Sequence, residues 1–149
     1  MEWDKIERLS QVESACILFQ GWYFTPGVWE NWVNILEEQY DVVLLWDIYN
    51  PPSDDVWCHL RSLVGLVDLY AWSLGGMFAM ELAAKYPGFI NELITFNSFP
   101  CFAAKKNWPG APDVSLHDFS NGLNDPSLMR RKFLLPSVLG GNNNKKELA

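Results

Sequence analysis

Four short apolar runs, at residues 15–19, 41–47, 65–70 and 92–97, alternate along this chain with stretches of helical periodicity, and that alternation constrains the fold more than any other feature. Each run has the length of a buried strand. Residues 28–38 place Val28, Trp29, Trp32, Val33, Ile35 and Leu36 on one helical stripe, and Pro26-Gly27 marks its entry. A turn-rich stretch at residues 49–55 precedes a second helix over 56–63, with Ser53 or Asp54 placed to cap it. A third helix, over residues 77–86, stops at Pro87-Gly88. Strands separated by helical crossovers pair in parallel, so the expected class is α/β: a mostly parallel sheet with helices on both faces.

The third run passes into its helix through Ala71-Trp72-Ser73-Leu74-Gly75-Gly76. A serine on a sharp strand-to-helix turn, with small residues two before and two after it, has the form of a nucleophile elbow. Ala71 and Gly75 leave the room such a turn needs, while Ser73 must accept strained backbone angles. The competing reading is an ordinary helix N-cap serine. In an elbow one oxyanion donor is the N–H of the residue after the nucleophile, here Leu74, and the second comes from the loop after an earlier strand, here Gln20-Gly21-Trp22-Tyr23.

At 149 residues the chain has the length of one domain. Hydrophobic residues at 49% exclude disorder, and eight Trp suggest an aromatic pocket. A net charge of −7 argues against nonspecific nucleic-acid binding, which needs Lys and Arg against phosphates. Cys16, Cys58 and Cys101 are scattered and odd in number, which speaks against a disulfide framework or a metal site and for a reducing, cytoplasmic setting. No cofactor is expected. The N-terminus is charged, and no apolar run approaches the roughly 20 residues that span a bilayer, so neither secretion nor membrane insertion is expected.

With Gly21-Trp22 after the first strand, Val28-Trp29 opening the next helix, Trp72-Ser73-Leu74-Gly75-Gly76 at the elbow, then Ser98-Phe99-Pro100-Cys101-Phe102 and Trp108-Pro109-Gly110, the chain resembles the α/β-hydrolase superfamily. Within it, the resemblance is to the pimeloyl-acyl carrier protein methyl ester esterases of biotin biosynthesis, over residues 15–135. The resemblance implies a partial α/β-hydrolase fold followed by a truncated cap: a core over residues 1–100, a partial cap over 101–139 and a frayed tail over 140–149. It makes Ser73 the nucleophile and Trp22 and Leu74 the oxyanion donors. It also places Trp22 and Phe133 at the acyl pocket. Arg130, Arg131 and Lys132 fall where the family's cap meets an acidic acyl carrier protein, although a solvated basic helix face has the same pattern.

Three departures from the family pattern matter. Gln20-Gly21 replaces His-Gly at the oxyanion loop, and Ile48-Tyr49-Asn50-Pro51-Pro52 replaces a Gly-rich turn. The family's acid and base follow the cap, and the chain shows neither there. His59 and His117, its two histidines, stand elsewhere. Two readings remain open: a serine carboxylesterase whose base comes from a second chain or a longer gene product, or a catalytically inactive remnant or carrier-protein-binding module.

Overall fold

The computed structural model describes residues 12–110 together with residues 112, 117 and 127. They divide into two compact units, one ending at Pro100 and the other beginning at Cys101. In the first, four parallel strands form one sheet: β1 (Ala15–Phe19), β2 (Val42–Trp46), β3 (Val67–Trp72) and β4 (Ile90–Phe96), in the order β2-β1-β3-β4. The connections are α1 (Glu30–Leu36), preceded by a 3-10 turn at Pro26–Trp29, α2 (Asp54–Leu63) and α3 (Leu74–Lys85).

All five residues of β1 are buried, as an uninterrupted apolar run in the middle of a sheet covered on both faces should be. On one face Ile17, Phe19, Leu44, Leu69 and Ala71 join Trp57 and Leu60 of α2 and Ala79 of α3 in the larger core cluster. On the other, Cys16, Leu18 and Val43 gather with Trp29 and with Leu36 of α1. Several tryptophans are therefore structural: Trp46 stacks on Phe19 at 5.0 Å and meets Trp57 edge-on at 5.8 Å. Burial, with the nearby Asp68 carboxylate, pushes the Cys16 thiol up to about 12.

Two local expectations need correction. The third strand starts at Val67, because Gly65 and Leu66 are exposed and lie before the first residue paired with β1. Ser53 occupies the N-cap of α2 but its side chain makes no capping bond; only its carbonyl accepts the Trp57 N–H, at 3.1 Å.

The second unit is described over residues 101–110 and at 112, 117 and 127. Lys105 and Trp108 form an antiparallel bridge, and the Trp108 indole donates to the Cys101 carbonyl at 2.7 Å. A Cβ at Gly110 would overlap the Ala103 carbonyl, which is why this turn takes glycine. Phe133, Arg130, Arg131 and Lys132 lie outside the described residues.

Candidate active site

The chain leaves β1 for β2 on one side of the sheet and returns to β3 on the other, so the topological switch point lies between β1 and β3. Open α/β sheets bind ligands in the crevice at the carboxyl ends of the strands that flank this point. The loop from Gln20 to Tyr23 leaves the carboxyl end of β1, and Ser73 leaves that of β3, whose Ala71 pairs with Phe19 of β1.

Ser73 stands at the N-cap position of α3 with φ 53° and ψ −122°, and its side chain makes no capping bond. An ordinary N-cap has extended backbone angles and a hydroxyl turned back on the helix. Ser73 has neither, and the elbow reading accounts for both. Left-handed backbone at a non-glycine residue costs on the order of 1–3 kcal/mol and persists only where the surroundings impose it. Here the surroundings are specific. The Ser73 N–H donates to the Phe96 carbonyl at the end of β4, at 2.9 Å. Its carbonyl accepts the Gly76 N–H at 3.0 Å and the Ser98 hydroxyl at 2.6 Å.

Small residues let the backbones close in. A Cβ at Gly75 would run into the Gln20 and Phe19 carbonyl oxygens, and one at Gly76 would run into the Ser98 side chain. A Cβ at Gly21 would sit 3.2 Å from the Ser73 Cβ and 3.1 Å from the Trp72 ring. Gly21 thus brings the loop after β1 directly against the elbow. In the sequence Ser98 stands out only as the first residue of the Ser98–Phe102 cluster, since a hydroxyl bonding to a carbonyl leaves no motif.

Among the described residues three non-glycine positions have positive φ: Tyr23 at 68°, Ser73 at 53° and Asn97 at 48°. All three follow the carboxyl end of a strand, β1, β3 and β4 in turn. Strain is therefore concentrated at one edge of the sheet, the edge where a ligand belongs. Leu74 is the first residue of α3, and a helix leaves the first N–H groups without intrahelical partners and directed at whatever lies beyond its N-terminus.

The tryptophan pocket is present, with a particular membership. Val28, Trp29, Trp32, Trp72 and Phe96 line a cavity of about 220 Å³ on the α1 face of the sheet. Trp32 lies 6.1 Å from Trp29 and 5.8 Å from Phe96 between ring centres. Trp72 reaches it from the position before Ser73. Trp22 is half-buried with its ring 5.2 Å from that of Tyr23, and it is not among the cavity's lining residues.

His59 makes no hydrogen bond to Ser73. His59 is exposed on α2, where its carbonyl accepts the Ser62 hydroxyl at 2.7 Å, and His117 is an exposed residue of the second unit. The Ser73 hydroxyl has no hydrogen-bond partner among the described residues. Nor do three His, Cys, Asp or Glu side chains gather there as a metal site, and no helix there is long and apolar enough to cross a membrane.

The sheet order, the helices on both faces and the elbow after β3 form a partial α/β-hydrolase fold. No family model matches the chain. Comparison with curated proteins finds a pimeloyl-acyl-carrier-protein methyl ester esterase of Aeromonas hydrophila subsp. hydrophila, 30% identical over 96% of this chain and 61% of that protein. A protein of the same name from Legionella pneumophila is 31% identical over 72% of this chain and 47% of its own length, and one from Aliivibrio fischeri is 29% identical over 91% and 56%. These esterases are homologues of the chain. The chain spans between about half and three-fifths of the length of these relatives. Among solved structures a marine microorganism esterase matches with a TM-score of 0.48 and 20% identity, covering 91% of this chain and 57% of its own.

Proposed function

We propose that this chain carries the nucleophile half of a serine carboxylesterase acting on the methyl ester of a pimeloyl group held by an acyl carrier protein. The observation that carries the reading is the backbone of Ser73, left-handed and uncapped at the carboxyl edge of a parallel sheet. The relatives named for that reaction support the substrate class.

In this reading Ser73 Oγ attacks the ester carbonyl carbon while a base takes its proton. The charge that develops on the carbonyl oxygen is held by the Leu74 and Trp22 N–H groups, whose value is greatest in the transition state. Collapse of the tetrahedral intermediate expels methanol and leaves the acyl group on Ser73, and water then releases the free carboxylate. The cavity between Trp29, Trp32, Trp72 and Phe96 offers an apolar surface beside that acyl group. Arg130, Arg131 and Lys132 would meet the acidic carrier. The base would come from outside the described residues or from a second chain that completes the sheet. Three free cysteines, one of them exposed, suit a cytoplasmic protein.

A second reading is favoured by one observation: the Ser73 hydroxyl has no base bonded to it among the described residues. A serine without a base loses several orders of magnitude in rate, and such a chain would hold its carrier protein without chemistry. Hydrolysis of a short-chain nitrophenyl ester by the chain and by Ser73→Ala separates the two. The esterase reading expects Ser73→Ala to lower the rate about a hundredfold or more. Equal rates would overturn hydrolysis by this chain alone and favour the carrier-holding reading or completion of the site by a second chain.

A further inference from the structure

We propose that Gln20, Asp47 and Tyr49 form a clamp that positions the oxyanion loop. They are positioning residues for the Trp22 N–H, and this role rests on the esterase reading given above. The two places where the chain departs from its family's pattern, Gln20 for His and residues 48–52 for a Gly-rich turn, are thereby one device. They meet on a single oxygen. The Gln20 side chain donates its Nε2 to Asp47 Oδ1 at 3.1 Å, and the Tyr49 N–H donates to the same Oδ1 at 3.0 Å. The Tyr49 hydroxyl then accepts the N–H of Tyr23.

Trp22 lies between two anchor points as a result. Before it, the fully buried Gln20 fixes the start of the loop through its side chain. After it, Tyr23 is held through its amide in a left-handed conformation, φ 68°, that it would not adopt unaided. Both anchors belong to the segment that follows β2, so the loop after β1 is tied to its neighbour and Gly21 is pressed against Ser73 from the other side.

The chemistry explains the residue types. An ionised carboxylate accepts several hydrogen bonds at once and donates none, so one oxygen of Asp47 can orient both an amide side chain and a backbone N–H. The amide orientation of Gln20 follows, since only its NH₂ end can face Asp47. Its Oε1 is left buried without a hydrogen bond among the described residues. A buried acceptor with no partner is tolerated where another requirement overrides it, and here that requirement is the position of the loop. A tyrosine can place its hydroxyl far from its backbone, whereas a glycine turn in the same place could reach nothing. An oxyanion donor works only within about 0.5 Å of its productive position, which is the tolerance a two-point tether supplies.

The test is Tyr49→Phe, which removes one oxygen from a half-exposed side chain and leaves the fold's core untouched. Amide exchange on the nitrogen-15-labelled chain should be about tenfold faster or more at Tyr23, with the strand amides of Leu18 and Leu69 unchanged. Exchange at Tyr23 equal to that of the parent chain would overturn the clamp. With a nitrophenyl ester, kcat should fall about tenfold while KM stays within about twofold, because the oxyanion exists only in the transition state. Faster exchange with kcat and KM both unchanged would overturn the positioning role. If the parent chain shows no Ser73-dependent turnover, hydrolysis by this chain alone is excluded, while the exchange at Tyr23 still decides whether the clamp exists.

Discussion

The two ends of the sheet treat their polar groups in opposite ways. At the amino ends of the strands two carboxylates each accept three hydrogen bonds. Asp41 accepts the Glu13 and Ser14 N–H groups and the Ser14 hydroxyl, and Asp68 accepts the Tyr40 hydroxyl, the Asn91 amide and the Glu92 N–H. At the carboxyl ends three non-glycine residues hold left-handed backbone, a buried Gln20 oxygen has no bond among the described residues, and the Ser73 hydroxyl stands free of partners there. One end is built to hold the strands in register and the other is held in strain by what surrounds it. A fold that supports chemistry separates these tasks, because a satisfied group has nothing left to offer a substrate.

The amino end also shows its purpose in its titration. Burial first, then hydrogen bonds to Tyr70 and Asp68, push the Tyr40 hydroxyl well above the usual phenol range, so it serves as a fixed donor. Hydrogen bonds from the Ser14 and Glu13 backbones hold the Asp41 carboxyl below its usual range.

The strongest way to break the comparison is Gly75→Ala. If the strain at the carboxyl end is imposed by close backbone approach, a methyl group against the Phe19 and Gln20 carbonyls should cost about 3 kcal/mol in urea unfolding, since neither neighbour can move aside as a side chain would. A neutral result would mean that the elbow has slack. Next comes Asp68→Ala, which leaves the Tyr40 hydroxyl, the Asn91 amide and the Glu92 N–H without their acceptor. It should cost about 2 kcal/mol by the same assay and leave reactivity at Ser73 intact. Loss of reactivity with full stability would merge the two ends that are held distinct here. Tyr49→Phe follows, with its effect confined to the carboxyl end.

Asp41→Asn should have the smallest effect, present above about pH 4 and fading in acid. A carboxyl held below its unfolded value, near 3.9, binds fewer protons in the native state, so its contribution is complete above that pH and is lost as the pH falls through the depressed value. The variant's acid-unfolding curve should therefore fall less steeply than the parent's below about pH 4. A curve superimposable on the parent's would show that Asp41 does not couple to folding.

Much of the scaffold was legible in the chain because its signals are local. The apolar run at residues 15–19 became the buried centre of the sheet, and Ser73, between a strand-forming and a helix-forming stretch, became the positive-φ turn from β3 into α3. What escaped was long-range. Nothing near Tyr49 announces that its hydroxyl will meet an amide 26 residues earlier, and Asp68 meets Tyr40 across 28. Such bonds are decided by which loops the sheet order brings together, not by periodicity. The tryptophans show the same division: their number pointed to a cavity, but only packing separates Trp46 and Trp57 in the core from Trp32 and Trp72 around the cavity, with Trp29 belonging to both.

The measurement that bears most directly on the central claim is covalent labelling with a fluorophosphonate ester, which reacts with activated serines, followed by mass spectrometry of the digested chain. The account predicts one adduct per chain on the peptide that contains Ser73, absent from Ser73→Ala and undiminished in Asp68→Ala. An adduct on another serine, or equal labelling of the parent and Ser73→Ala, would contradict it.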